Sequence, residues 1–160
     1  MMTALNGLLP ALTGNESIWI FQSNFPHFSI AKTVDALEIG EVGTWYVRDH
    51  IDELRGGDLV LLWEEGENSG LYALGTLVGG PFEGEPLESG GAPAKWMRWR
   101  LDATLTPPVS KAELRENDAL KGLSHFDRKD ATNLPVDPSQ WAAIKSMLDV
   151  QPGFEPVIGD

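Results

Sequence analysis

The chain has no cysteine. Disulfides, thiolate nucleophiles and Cys-based zinc or iron-sulfur sites are therefore excluded, so packing and hydrogen bonds must hold the fold. Basic residues are scarce too: 12 Lys plus Arg stand against 24 Asp plus Glu, a formal net charge of -12. An acidic surface repels a phosphate backbone, which argues against a nonspecific, sliding DNA binder. A pocket that reads one base behind a locally basic rim survives that objection, because salt confines each surface charge to a neighbourhood of about 8 Å. Long apolar runs are missing as well. Nothing approaches the roughly 18 residues that cross a bilayer, and Met1 to Ala11 carries no basic residue of the kind that opens a secretory signal. The sequence predicts a cytoplasmic protein with no membrane partner.

Catalytic signatures are absent in the same way. His27, His50 and His125 lie far apart, with no carboxylate or histidine at metal-ligand spacing. Although the chain has 17 glycines, none falls in a nucleophile elbow, a phosphate loop or a dinucleotide-binding turn. Neither a metal nor a cofactor is expected. Asp49 with Asp52, and Glu64 with Glu65 and Glu67, read as solvated surface beside turns rather than as acid/base pairs.

What the chain does have is enough apolar content, 42% of 160 residues, for one core and one domain. Residues 1–17 read as a loose lead-in, 18–150 as the domain and 151–160 as a tail. Strands are expected at 18–23, 44–47, 59–63, 70–78 and 94–105, with a short closing strand at 131–136. A short helix capped by Ser29 runs from Ile30 to about Leu37, and a single helical turn covers 49–54. Capping boxes at Ser110 with Glu113 and at Asp137 with Gln140 start two more helices, the second burying Trp141, Ile144 and Leu148. In the long strand, Met97, Trp99, Leu101 and Ala103 are predicted to share one face and Trp96, Arg98, Arg100 and Asp102 the other. Many short strands and few helices imply an α+β fold: a small mixed or antiparallel β-barrel decorated by short helices.

Six tryptophans exceed what a small barrel core needs, and an aromatic wall suits a flat base. Trp99 and Trp141 fall on predicted apolar faces and read as core. Trp45 and Trp63 fall near strand ends beside polar residues, where a barrel mouth would open.

The run Trp19-Ile-Phe-Gln22-Ser-Asn24 with Pro26 close by, then Thr44-Trp45-Tyr-Val-Arg48, then Ile51-Asp-Glu-Leu-Arg-Gly-Gly57-Asp58-Leu-Val-Leu-Leu-Trp63, then Gly70-Leu-Tyr72-Ala-Leu-Gly75, resembles the EVE domain. That family belongs to the PUA-like superfamily and is related to the YTH readers of methylated adenosine. The strand through Trp99, the Leu105-Thr-Pro-Pro-Val109 segment and the helix with Trp141-Ala-Ala-Ile144 extend the likeness over about residues 18–148. Phe25 separates Asn24 from Pro26 where the family more often has them adjacent.

The resemblance implies a barrel that accepts a flipped, modified base, with modified cytosine in DNA favoured and RNA the other polymer. The implied pocket comprises Gln22, Ser23, Asn24, Trp45, Arg48, Trp63 and Tyr72. Trp45 or Trp63 would stack on the base, the amide of Asn24 or Gln22 and the hydroxyl of Ser23 would bond its edge, and Arg48 would meet a phosphate. Lys32, Lys95, Arg98 and Arg100 are the candidate basic rim. Any cutting or signalling would come from a separate nuclease or NTPase, since none is fused here. Two other classes stay open: a small molecule or enzymatic use of the same cavity, and a protein-interaction module marked by an exposed apolar patch.

Overall fold

The computed structural model describes residues 3–10, 12–22, 30–64, 69–86, 90–122 and 132–149, without the side chains of residues 30, 31 and 149. Five β-branched, aromatic and amide residues make the fully buried strand β2, Ile18–Gln22, while β1, Thr3–Gly7, lies at the other side of the sheet. The remaining strands are β3 (Val42–Tyr46), β4 (Leu59–Glu64), β5 (Gly70–Gly84), β6 (Ala94–Ser110), β7 (Asn133–Val136) and β8 (Leu148–Asp149). They pair in the order β7-β2-β4-β5-β6-β1-β8, with β3 alongside β6 as the eighth strand. The pairs β2–β4 and β1–β8 are parallel and the others antiparallel, so the sheet is mixed, as expected.

Helix α1 (Ile30–Ala36) packs on β4 and β5, whereas α2 (Lys111–Glu116) and α3 (Pro138–Ser146) lie on the other side. Both predicted capping boxes form: Ser110 and Asp137 each accept from the N–H three residues on, while Glu113 and Gln140 reach back.

The sheet separates two apolar clusters. Trp19, Phe21, Val34, Trp45, Leu62, Met97 and Trp99 belong to the inner one, which α1 covers. Ile18, Ile20, Leu61, Trp63, Leu105, Trp141 and Ile144 belong to the outer one, under α2 and α3. Alternation along β2 sends successive side chains to opposite clusters, which is why the strand is buried on both faces.

Strand β6 serves both clusters by means of a bulge. Leu74 pairs with Ala103 and Gly75 with Leu101, leaving Asp102 as the extra residue. The expected face of Met97, Trp99, Leu101 and Ala103 therefore breaks in two: the first three point inward and Ala103 points to the outer cluster. Asp102 is held there by Arg100 Nε, 2.8 Å away, and by the hydroxyl of Thr76, 2.5 Å away.

Two further expectations need correction. Residues 3–7 are not a loose lead-in, because β1 completes an edge of β6 and pairs with β8. Nor does a strand ladder close the barrel among the described residues. After β3 the chain instead meets β7 through side chains. The Arg48 N–H donates to Thr132 Oγ1 at 2.9 Å, Asn133 Nδ2 to the Asp49 carbonyl at 2.5 Å, and the Thr132 N–H to Asp49 Oδ2 at 2.8 Å. Thr132 and Asn133 are among the few buried polar residues, and these bonds satisfy them.

The turn into β4 rests on another buried polar group. Asp58, 2% exposed, accepts from the Ser17 N–H at 3.0 Å, the Trp19 indole at 3.1 Å and the Arg55 N–H at 3.1 Å. Replacing it leaves three donors without their acceptor. Asp58→Ala is expected to lower the unfolding free energy by about 2–3 kcal/mol in urea denaturation, and Asp58→Asn by less, because one acceptor oxygen remains.

Candidate functional site

The inner cluster is rich in aromatic residues, and it buries Trp45, which the sequence placed at an open mouth. Trp45, 4% exposed, lies with its ring centroid 5.9 Å from that of Phe21, the two planes tilted by 37°. Trp99 is fully buried beneath Gly43, where an added Cβ would come within 3.3 Å of the indole. That glycine lets β3 lie flat on the ring. The Trp99 indole N–H has no acceptor among the described residues.

At one end of this interior, Val34, Asp35, Tyr72, Thr104, Leu105 and Thr106 line a cavity of about 370 Å³. Tyr72 reaches it from β5 and is hydrogen-bonded to Glu64. Loss of solvent first, and the Glu64 charge and hydrogen bond next, raise the Tyr72 phenol above its usual pKa.

The expected pocket residues divide between the two faces of the sheet. Trp45 belongs to the inner cluster and Tyr72 packs against it, while Arg48 is exposed, anchored through its backbone to Thr132. Gln22 pairs in register with Trp63, and both fall on the outer-face side of β2 and β4. Trp63 is fully buried in the outer cluster that also holds Trp141, so it does not share a wall with Trp45. Ser23 and Asn24 lie outside the described residues, as do Ser29, His27 and His125.

The rim divides in the same way. Lys32 is exposed on α1. Arg98 and Arg100 alternate with the inward Met97 and Trp99, so they stand on the outward face of β6. Lys95 is exposed between Ala94 and Trp96, and its carbonyl accepts from the Val47 N–H at 3.0 Å.

A larger groove, about 740 Å³, opens at the start of β2. Its wall includes Glu16, Asp52, Glu53, Arg55, His50 and Trp19. His50 sits in the left-handed region at φ 53°, its Nδ1 2.7 Å from Glu53 Oε2 and its ring 5.6 Å from that of Trp19. Glu16 is held down to about 2 by the Thr13 hydroxyl and backbone N–H groups. This end of the molecule is predominantly acidic. No group of three or more His, Asp or Glu among the described residues is placed to hold a metal ion, and none of the described helices is long and apolar enough to cross a membrane.

Sequence reasoning missed the Asp49–Thr132–Asn133 contact, since its partners are about 84 positions apart. It also missed the division of the aromatic residues between faces. The alternation of β2 was the available signal for the second.

A mixed sheet around an aromatic interior, with two helices packed against its outer side, is the fold that carries the site. The EVE domain family matches residues 17–147, and the chain belongs to that family. Solved structures share the fold at low identity. A Leishmania major protein is 20% identical with a TM-score of 0.69, the match covering 85% of this chain and 96% of that one. Human THYN1, in complex with 5-methylcytosine-containing DNA, is 14% identical with a TM-score of 0.64, covering 82% and 96% of the two chains. An Agrobacterium tumefaciens protein is 16% identical with a TM-score of 0.64, covering 82% and 92%. The comparison with curated proteins gives no match.

In a Tyr46→Phe background, absorbance at 295 nm during alkaline titration should give a Tyr72 midpoint above the ordinary value of about 10. Glu64→Gln should bring that midpoint down. An unchanged midpoint would exclude the Glu64 carboxylate as a cause.

Proposed function

We propose that this EVE domain is a non-catalytic nucleic-acid reader whose barrel takes up one flipped, modified nucleobase, with modified cytosine in DNA favoured over RNA. The observation that carries the reading is the Trp45–Phe21 pair inside the barrel, one position before β2 ends at Gln22. A base removed from its stack needs an aromatic surface to replace its neighbours, and such stacking contributes about 1–3 kcal/mol. Family membership supports the reading, and 5-methylcytosine-containing DNA is what the structural relative THYN1 is bound to.

In this reading Trp45 is the stacking wall and Arg48 meets the adjoining phosphate. Ser23 and Asn24 contribute hydrogen bonds to the edge of the base and Tyr72 bounds the cavity, whereas Gln22 turns with Trp63 to the other side of the sheet. Trp63 acts as a core residue on the opposite face. A nuclease or NTPase acts on the outcome. The cavity beside Tyr72 and Asp35 favours one competing use, the binding of a free metabolite, because its volume of about 370 Å³ suits a small ligand.

Fluorescence anisotropy with matched DNA and RNA oligonucleotides, modified or unmodified at one cytosine or adenine, separates these uses. Selective binding to one modified DNA base is the expected result. Trp45→Ala, with its folded state checked by thermal denaturation, should weaken that binding by about 1–3 kcal/mol, whereas Trp63→Phe should leave it within a few-fold of wild type. A folded Trp45→Ala protein that binds like wild type would remove Trp45 from the role. Failure of every oligonucleotide to bind would favour the metabolite.

A further inference from the structure

The outward face of the sheet where β5, β6 and β3 run together is covered by none of the described helices, and its side chains fall into three rows. Phe82, Trp96 and Tyr46 are direct cross-strand neighbours, as are Val78, Arg98 and Thr44, and then Thr76, Arg100 and Val42. The aromatic row is half-buried, Arg98 and Thr44 are exposed, and Val42 is 50% exposed.

Several contacts fix the shape of this face. The Arg98 guanidinium lies 4.1 Å above the Phe82 ring. Trp96 meets Tyr46 edge-on at 6.0 Å and donates from Nε1 to the Glu85 carbonyl at 2.9 Å. Gly84 leaves room for that indole, since a Cβ there would be 2.7 Å from its Cδ1. Arg100 is 46% exposed and held at Nε by Asp102. Arg98 and Arg100 bring two guanidinium groups to this face of a chain of net charge -12, the second paired with Asp102 and with Glu85 at the margin, whereas Glu16, Asp52 and Glu53 line the groove at the start of β2.

We propose that this face is a second nucleic-acid contact, a shelf for single-stranded nucleotides next to the one held in the barrel. The inference rests on the reading of the barrel given above and extends it to the flanking strand. A guanidinium laid flat on an aromatic ring offers a plane on which a base stacks and N–H edges that meet phosphate. Arg98 and Arg100 stand two residues apart, about 6.6 Å along the strand, a reach that suits consecutive backbone groups of an extended strand. Both arginines are already oriented by protein contacts, so little freedom is lost when they bind. Trp45 and Tyr46 are successive residues of β3 on opposite faces, and β3 has a strand partner on one side only among the described residues.

Two probes keep this inference separate from the barrel reading. Unmodified dT12, followed by anisotropy at about 0.05 M salt, tests the face, because stacking and phosphate contact need no modified base. The nucleoside 5-methyl-2′-deoxycytidine, followed by calorimetry, tests the barrel and has no phosphate for Arg98 to meet. Wild type should bind dT12, and Arg98→Ala should weaken this at least about fivefold and reduce the salt slope by about one. Trp96→Ala, provided it melts as wild type does, should give a similar loss. Nucleoside binding should be the same in wild type and Arg98→Ala. Wild type that fails to bind dT12, or equal binding by Arg98→Ala, overturns the inference whatever the nucleoside does. Loss of nucleoside binding alone would remove the barrel reading and leave the face as the nucleic-acid contact. Self-association of wild type abolished by Arg98→Ala, with dT12 binding unchanged, would overturn it in favour of a second copy of the chain.

Discussion

The aromatic interior depends on a closure made by three polar side chains. After β3, the chain is fastened to the start of β7 by Asp49, Thr132 and Asn133, which exchange hydrogen bonds between side chains and backbone where neighbouring strands would normally form a ladder. Thr132 also accepts, through its carbonyl, from the Gln22 N–H at 3.0 Å. One short segment therefore ties together the end of β2, the start of β7 and the backbone of Arg48. Such a network is strongest when every member is satisfied and weak when one is lost, because its groups are shielded from water. The position of Arg48 relative to Trp45 follows from it.

A second constraint is the two-faced use of the sheet. Strand β2 puts Trp19 and Phe21 into one cluster and Ile18 and Ile20 into the other, while the Asp102 bulge lets β6 change sides partway along. The inner cluster becomes an aromatic chamber, and the outer one a dry layer under α2 and α3. Where those helices end, the outer face continues as the Arg98 and Arg100 surface. Position along one strand thus decides whether a side chain supports the fold or faces solvent.

Much of this was legible in the residues. Alternation and the capping boxes locate most elements, because they express local backbone chemistry. The order of short motifs points to the EVE family, which the comparisons establish. Three features were not legible for physical reasons. The Asp102 bulge leaves no mark in a strand pattern, so Ala103 was given the wrong face. Residues 3–7 contain Gly7 and a weak period, and their partners lie about a hundred positions away, so local propensity could not show β1. Trp45 and Trp63 both fall near strand ends beside polar residues, and only their registers, with Met97 and with Gln22, reveal that they point to different clusters.

The pairing of β1 with β8 also bears on how the chain reaches its fold. Thr3 is opposite Leu148, and Ala4 is opposite both Asp149 and Thr106, so the edge of the sheet joins segments from near the two ends of the sequence. Long-separation pairing of this kind, together with the parallel β2–β4 contact, requires large loops to close before their contacts can compensate for the lost entropy. The kinetic consequence is a high-contact-order topology that folds on the millisecond-to-second scale typical of β-rich domains. During synthesis, β1 emerges first and waits for β8, so the sheet's last edge is completed only when nearly the whole domain is free of the ribosome.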